Sequence, residues 1–383
     1  MQKFSIAYIV SSLGRSGPTN QLFQMISYLD RKEFEPTIIT LSPEPKNSRV
    51  EEFSDLSVNL IFLEMRHLAS LFFGTTLLNK ALKSLAPDVI HSQGLRGDWL
   101  NSRLSEYSAR IATQRNNPFA DYPMLYGFLR GPAMALLHNR AFRNLPYVVA
   151  CSNSLLKPEK NGHPSRMVIS NGVTIDKHRV LPSKSDKQMW RRRLQLPQAG
   201  PLFLWAGPVI KRKQPLLAAN GFREFTGPDA PCLIVLGDGP LLEECRRKTE
   251  SFARVRFLGH TNNVSDYLQA ADGFISSSLS EGMPNSVLEA LTWGLPVFLS
   301  DIPAHRDVLM LAPEAGEVFG KTDYKMLKRL VDSFESKPKT LYDPANLIGS
   351  VFDAESMSRS YQVLYRKIIN SPHRIIRVNQ SDD

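Results

Sequence analysis

The sequence predicts an α/β protein built from two successive parallel sheets, each covered by helices. Three observations predict it: a length beyond one core, two runs in which short apolar segments alternate with amphipathic ones, and a polar stretch between the runs. The chain has 383 residues, and a single hydrophobic core seldom grows past about 250 residues. With 42% hydrophobic, 22% charged and 9% aromatic residues, its composition is that of a globular chain, neither disordered nor fibrous.

Strands buried on both faces of a parallel sheet read as short continuous apolar runs. The first is FSIAYIV (4–10), followed by a helix from Asn20 to Leu29. TIITL (37–41) and Val58 to Leu63 come next, then a helical stretch from Leu68 to Leu85. DVIHS (88–92), a helix near 97–109, Arg110 to Thr113, a helix over 122–143, YVVACS (147–152) and RMVISNGV (166–173) complete a Rossmann-like unit. From Asp176 to Gln198 the chain turns polar and charged, which reads as a linker carrying one short helix. The alternation then restarts with PLFLWAG (201–207), a helix over 214–225, PCLIVLGDG (231–239) and a helix over 240–252. VRFLG (255–259), a helix over 263–270, GFISSS (273–278), a helix over 285–293 and PVFLS (296–300) finish a second unit of the same kind. A last helix over 354–370 follows the second sheet and is expected to lie back across the first unit, and the tail VNQSDD is expected to fray. The domain boundary is therefore placed at 175/176, with the second domain running to 353.

Composition also removes whole classes. No stretch reaches the roughly 18–20 apolar residues of a membrane-spanning helix. The opening MQKFSIAYIVSSLG has a lysine and an apolar run like a signal peptide, but the polar RSGPTNQ follows where a small-residue cleavage site belongs, so it reads as the first strand. Cys151, Cys232 and Cys245 are too far apart for a CxxC motif and too few for a disulfide framework, which fits a reduced, cytoplasmic setting. The net charge of +10 is uneven: residues 1–180 hold 21 Lys and Arg against 14 Asp and Glu. Part of that excess is a series of arginines without lysine, Arg96, Arg103, Arg110, Arg115, Arg130, Arg140 and Arg143. A basic surplus permits RNA, yet no RNP, KH or helix-turn-helix signature is present, and nucleic acid is not expected as a partner.

The sharpest local feature is SEGMPNSVLEALTWGLPVF (280–298). Gly282 and Pro284 form a turn at the carboxyl end of a strand, and Asn285 or Ser286 is placed to cap the next helix, whose first amides attract an anion. Glu289 lies three residues after Ser286, one turn along the same face. Phosphates at the helix start and a ribose one turn further have that layout. Glu281, eight residues before Glu289, sits in the turn where a sugar beyond the phosphates is expected. LGDGP (236–240) ends another strand with glycines that let a ligand approach the backbone, Phe257 to Gly259 closes its neighbour, and Gly207 leads into PVIKRKQ with Lys211, Arg212 and Lys213. In the first unit, SSLGRSGPTN places Gly14 and Gly17 after strand one.

SEGMPNSVLEA resembles the E-x7-E signature of retaining glycosyltransferase family 4, bacterial surface-polysaccharide enzymes among them. RSGPTNQL, DVIHS, ISNGVTID, AGPVIKRK, LIVLGDGP, VRFLGH, AADGFISSSLSEG and GLPVFLSDIPAHRDVL follow in family order, so the resemblance spans about residues 4–310. It implies the GT-B fold, α/β with two facing Rossmann-like domains and a cleft between them. It further implies that Glu281 contacts the donor sugar, that the backbone of Gly282, Met283, Pro284, Asn285 and Ser286 holds sugar and diphosphate, and that Glu289 binds the ribose. Lys213 would hold the diphosphate, with Lys211, Arg212, Gly207 and Gly17 nearby, while Gly237, Asp238, Gly239 and Leu258 border the base. No metal or other cofactor is expected, since the lysine and helix start replace a divalent cation at the leaving diphosphate. The catalytic set is then Glu281, Lys213 and His91, with Gln93, Arg115 and Asn116 on the acceptor side.

The sequence departs from the family at three places. Pro208 stands where many members carry arginine, leaving Lys211 or Arg212 to compensate. Gln93 and Arg115 each stand where many members carry histidine. The resemblance implies transfer of a hexose from a nucleotide diphosphate, UDP favoured over GDP, to a saccharide, polyprenyl-linked, in O-antigen, capsule or related synthesis. The arginine series with Phe72, Phe73, Tyr122, Tyr126 and Phe128 suits peripheral contact with an anionic inner leaflet. Two alternatives stay open, a GT-B nucleotide-sugar epimerase and a non-catalytic basic binding protein.

Overall fold

The computed structural model describes residues 3–156, 165–176, 180–311, 313–334 and 351–371, without the side chains of 67–72 and 165. The side chain of Phe72 and the tail VNQSDD thus fall outside what is described. The chain divides into two compact units, Met1–Thr174 with Phe352–Asp383, and Ile175–Val351.

In the first unit β1 (Phe4–Val10), β2 (Phe34–Thr40), β3 (Asn59–Phe62), β4 (Val89–Gln93), β5 (Arg110–Gln114), β6 (Tyr147–Ala150) and β7 (Ser165–Val168) form one sheet. Its order is β3-β2-β1-β4-β5-β6-β7, and every pairing is parallel. Helices α1 (Gly17–Ser27), α2 (Val50–Asp55), α3 (His67–Leu85), α4 (Leu95–Asn101) and α5 (Pro118–Arg143) cover it. Strand β1 shows why the run is apolar throughout. Ile6, Tyr8 and Val10 enter one core with Leu22, Met25 and Ile26 of α1, while Ala7 and Ile9 enter another with Leu78, Leu82 and Leu100. Helix α5 starts four residues earlier than expected and bends at Gly127 (φ +80°), between Pro123 and Pro132, where prolines interrupt the backbone ladder.

The C-terminal helix, Ala354–Ile369, belongs to this unit. Met357, Tyr361, Leu364, Tyr365 and Ile368 recur at helical spacing and enter the core beside α1. A polar seam runs through that contact. Tyr365 Oη meets His91 Nδ1 at 2.7 Å and Tyr8 Oη at 3.2 Å, His91 Nε2 meets Thr113 Oγ1 at 2.7 Å, and Tyr361 Oη meets Thr113 Oγ1 at 2.9 Å. At the rim Arg366 Nε donates to Glu33 Oε1 at 2.8 Å.

This seam corrects the catalytic expectation for His91. Its ring is buried with both nitrogens engaged, and burial, with the Arg115 charge adding to it, pushes its pKa down to about 3. A neutral imidazole enclosed by tyrosines joins sheet to helix and presents no free nitrogen to a substrate.

In the second unit β8 (Leu202–Ala206), β9 (Cys232–Leu236), β10 (Val255–Gly259), β11 (Gly273–Ser276), β12 (Val297–Ser300) and β13 (Gly316–Phe319) pair in parallel, in the order β10-β9-β8-β11-β12-β13. Its helices are α6 (Lys184–Arg193), α7 (Pro215–Asn220), α8 (Leu242–Lys248), α9 (Val264–Ala270), α10 (Asn285–Leu291), α11 (Pro303–Leu311) and α12 (Tyr324–Asp332). The helices after β8 and β9 are shorter than expected. Strand β13 and helices α2, α11 and α12 were not legible: GEVF is four residues with a charge and no apolar run, and it becomes a strand only by pairing with Val297–Ser300. In each sheet chain order reverses once, between β1 and β4 and between β8 and β11. At such a point the connections leave toward opposite faces, which opens a crevice at the carboxyl ends of the strands.

The polar seam predicts that Tyr365→Phe, which strips a partner from both His91 and Tyr8 inside the core, lowers stability by about 1–3 kcal/mol. A urea midpoint shifted down from wild type checks it.

Candidate functional site

At the reversal between β8 and β11 two loops are tied together. After β8, Gly207 to Ile210 leads into the 3-10 turn Lys211–Lys213; after β11, Ser277 to Pro284 leads into α10. Leu279 N–H donates to the Arg212 carbonyl at 2.8 Å, and Ser277 Oγ donates to the Lys213 carbonyl at 2.9 Å. Arg212 Nη1 reaches back to the Ser280 carbonyl at 2.5 Å and to Glu281 Oε2 at 3.0 Å. The Lys213 ammonium pairs with Glu281 Oε1, which also accepts from Ser278 Oγ at 2.6 Å.

Glu281 is therefore a carboxylate with its side chain 7% exposed and two cations against it. Burial pushes its pKa up, but Lys213 first and then Arg212 and Ser278 outweigh burial and hold it at about 2. It stays ionised at any physiological pH and is no proton donor. Two cations around one anion leave a net positive charge, which suits an anionic ligand.

Glu289, on α10, is in the opposite state. Burial pushes its pKa up to about 7, with Lys213 pulling only partly back. Helix α10 has seven residues and starts after Pro284 without a side-chain cap, so Asn285 and Ser286 lie inside its first turn; the expected cap is corrected, because a proline takes the capping position. Met283 and Pro284 are buried behind that turn, and Gly282 with them.

The glycine loop after β9 lies against the loop after β8. Gly237 and Gly239 have φ of +134° and +156°, and a Cβ on Gly237 would run into the Gly207 carbonyl oxygen. Val209 N–H donates to the Asp238 carbonyl at 2.8 Å, Asp238 accepts from Gly239 N–H at 2.6 Å on the surface, and Leu258 stands exposed at the bulge of β10. Lys211 is exposed and Arg212 is spent on Glu281, so of the three basic residues Lys213 and Arg212 enter the cluster and Lys211 does not.

In the first unit Gly17 opens α1 on the surface, after the cap Ser16. Gln93, Arg115 and Asn116 gather at the carboxyl ends of β4 and β5. Arg115 Nε donates to Gln93 Oε1 at 3.0 Å and Nη1 to Asn171 Oδ1 at 2.5 Å, while its buried Nη2 has no hydrogen-bond partner among the described residues. The Asn116 side chain hydrogen-bonds Tyr122, which is buried against His138 and Asp98; Tyr122 therefore leaves the expected lipid-facing group, whereas Phe73, Tyr126 and Phe128 are exposed.

Four residues escaped the sequence reading. Buried His305 has Nδ1 2.7 Å from the Ser300 carbonyl and Nε2 3.1 Å from Ser276 Oγ, and Ser300 Oγ donates to the Ser278 carbonyl at 2.6 Å. Ser278 then holds Glu281. Burial pushes His305 down to about 4, so it braces the loop as a neutral ring. The serines of FISSS and the histidine of DIPAH were visible, but only the pairing of β11 with β12 brings them together. Among the described residues no three His, Cys, Asp or Glu side chains converge as a metal-binding group.

Residues 15–177 match the family described as Glycosyltransferase Family 4, and residues 200–331 match Glycosyl transferases group 1. The chain belongs to glycosyltransferase family 4. This glycosyltransferase is similar to the O-antigen biosynthesis glycosyltransferase WclY of Escherichia coli, with 24% identity over 96% of this chain and 99% of that one. A shorter stretch, 35% of this chain and 36% of the relative, is 31% identical to the UDP-Gal:alpha-D-GlcNAc-diphosphoundecaprenol alpha-1,3-galactosyltransferase of Escherichia coli. Among solved structures, Anabaena HepE in complex with UDP and glucose superposes with a TM-score of 0.75 over 94% of this chain and 99% of that one, at 14% identity. That likeness is one of fold, and it places the glycosyltransferase's two Rossmann-like units in the GT-B class.

The two glutamates give the enzyme opposite pH linkages. Glu281, lowered to about 2, contributes stability that is present above pH 4.5 and lost as pH falls through 2; Glu289, raised to about 7, contributes stability that is present below pH 4.5 and lost as pH rises through 7. Glu281→Gln is expected to lower stability at pH 8 by about 1–3 kcal/mol, and Glu289→Gln to raise it relative to wild type, with the gain vanishing at pH 4.5. Thermal unfolding of both variants from pH 4.5 to pH 8 reads the crossing.

Proposed function

We propose that this glycosyltransferase is a retaining, metal-independent hexosyltransferase. It moves a sugar from a UDP donor, in preference to GDP, to a saccharide carried on a polyprenyl diphosphate, in O-antigen, capsule or related polysaccharide synthesis at the inner face of the cytoplasmic membrane. The observation that carries the reading is the buried cluster of Glu281, Lys213 and Arg212 at the β8/β11 reversal, with Glu289 on the adjoining helix. The names of the relatives support the rest: one acts with UDP-galactose on a diphosphoundecaprenol-linked sugar, one serves O-antigen biosynthesis, and HepE is seen with UDP and glucose.

The chemistry follows from the charges. A leaving diphosphate needs fixed positive charge where its own negative charge grows, and a preorganised, partly desolvated ammonium supplies it without reorganising at the moment of reaction. Lys213 is that ammonium. Glu281, ionised and pinned by Ser278, accepts hydrogen bonds from donor-sugar hydroxyls and keeps Lys213 oriented. The phosphate oxygen that leaves takes the acceptor's proton on the same face, so configuration is kept and no protein base is required. Glu289 accepts from ribose hydroxyls. In the first unit Arg115, with an uncommitted Nη2, together with Gln93 and Asn116, meets the acceptor.

The test combines ligand-induced stabilisation with product analysis. UDP is expected to raise the melting temperature more than GDP, ADP, dTDP or CMP, and Lys213→Ala to weaken UDP at least about tenfold, since a charge-assisted contact is worth ~1.5–3 kcal/mol. Glu281→Gln should keep UDP within a few-fold while turnover falls by about 100-fold or more. Product anomers should match the donor, with EDTA leaving the rate unchanged. Turnover lost in EDTA or an inverted product would overturn the mechanism. Donor isomerised without acceptor would point to the epimerase, and no response to any diphosphate to the binding protein.

A further inference from the structure

The first unit buries a chain of polar groups distinct from its tyrosine seam. Ser92 on β4, Asp98 and Asn101 on α4, and Tyr122 and His138 on α5 are all buried. Asn101 Nδ2 donates to Ser92 Oγ at 3.0 Å, and Ser92 Oγ donates to Asp98 Oδ1 at 2.7 Å. His138 Nε2 stands 2.8 Å from Asp98 Oδ2, and its Nδ1 stands 2.6 Å from Tyr122 Oη. The bend at Gly127 makes the last contact possible. It turns the two halves of α5 onto each other, and Gly131 passes so close to Tyr122 and Pro123 that a Cβ there would run into their backbone. The Tyr122 and His138 rings then lie 6° from parallel, and the Phe142 ring centre is 4.2 Å from that of His138.

Each link in this chain has a direction. Burial pushes the Tyr122 hydroxyl up and the Asn116 side chain draws it partly back, which is the effect of a donor, so the Asn116 amide gives a proton to Tyr122 Oη. The hydroxyl has one proton of its own, and it goes to His138 Nδ1. The ring then carries its proton on Nε2 and donates it to Asp98. Ser92, which accepts from Asn101, passes its proton to the same carboxylate. Both arms end on Asp98, whose carboxylate only accepts, and it thereby sets the direction of the chain out to Asn116. Asn116 is half-buried after β5, next to Arg115, with its backbone carbonyl held by Gln114 Nε2 at 3.2 Å. With its amide N–H spent inward, its Oδ1 is left to accept.

We infer that Asp98, His138 and Tyr122 are positioning residues for acceptor recognition: they hold the Asn116 amide with its oxygen presented to the ligand, where it accepts from a hydroxyl of the incoming saccharide. The class of group follows from polarity. An amide oxygen takes a hydroxyl or an N–H and disfavours a phosphate or carboxylate, whereas the Arg115 guanidinium beside it only donates. Neighbouring residues 115 and 116 thus make opposite demands on one ligand, and an Asn116 amide free to turn over would blur that distinction. The inference rests on the acceptor role proposed for Arg115, Gln93 and Asn116, adds the buried groups that orient it, and draws only on the first unit.

Two measurements on the full chain test it. In nitrogen NMR of protein made with isotope-labelled histidine, with His138→Gln for assignment, His138 should show a protonated Nε2 and a bare Nδ1. A proton on Nδ1 would reverse the chain's direction and overturn the inference. Transfer from UDP-glucose or UDP-galactose to N-acetylglucosamine carried on farnesyl diphosphate reads the role. Tyr122→Phe and Asn116→Ala should each raise the KM for that acceptor about tenfold, with kcat within about twofold of wild type and the melting-temperature shift with UDP unchanged. Since both remove the same contact, Tyr122→Phe/Asn116→Ala should be no worse than Asn116→Ala alone. Additive effects, or a wild-type acceptor KM in Tyr122→Phe, would overturn the inference, because Tyr122 would then only brace α5. A wild type that responds to UDP but transfers to this acceptor from neither donor would instead overturn the polyprenyl-linked acceptor, with the nitrogen spectrum left to decide the direction of the chain.

Discussion

An ammonium and a carboxylate held together away from water set the order of the second unit's site. Neither Lys213 nor Glu281 is tolerable alone in that position, because an unpaired buried charge costs several kcal/mol. Together, with Arg212 and Ser278, they make each the condition for the other. The pair closes the loop after β8 onto the loop after β11, and backbone bonds at Leu279 and Ser277 repeat the tie. Such a cluster gives up stability that an apolar plug would supply, and its retention at the one reversal of strand order in the sheet fits a site for an anion.

Around that pair, the sheet decides which residues matter. His305, Ser300 and Ser278 lie on different segments and join only because β11 and β12 pair in register. Their role is to hold Glu281 where Lys213 meets it. Glu289, nearby and poorly solvated, makes no ion pair among the described residues, and so the same residue type takes the opposite protonation behaviour.

The first unit uses a different device. Its C-terminal helix is added after the chain has built the other unit, and tyrosines carry it into the core with their hydroxyls satisfied by His91, Thr113 and Tyr8. That requirement explains why a histidine in DVIHS, which looked chemical, is structural. A buried hydroxyl needs a partner, and a neutral imidazole serves two at once.

Much of the fold was legible from the strand runs, because parallel strands covered on both faces must be apolar along their length; FSIAYIV and CLIVL show the pattern that GEVF lacks. The loop positions of Glu281, Lys213 and the glycines were equally readable, since turns and helix starts have local chemistry. By itself the sequence determined the two alternating units, their strands other than β13 and the residue types at the strand ends. Only the tertiary structure decided that Glu281 is ionised and Glu289 poised near neutrality, that His91 and Tyr122 are enclosed, and that β13 exists. The physical reason is that desolvation, charge pairing and strand pairing depend on what lies a few ångströms away in space, and residues such as Lys213 and Glu281, or Tyr365 and His91, are far apart along the chain.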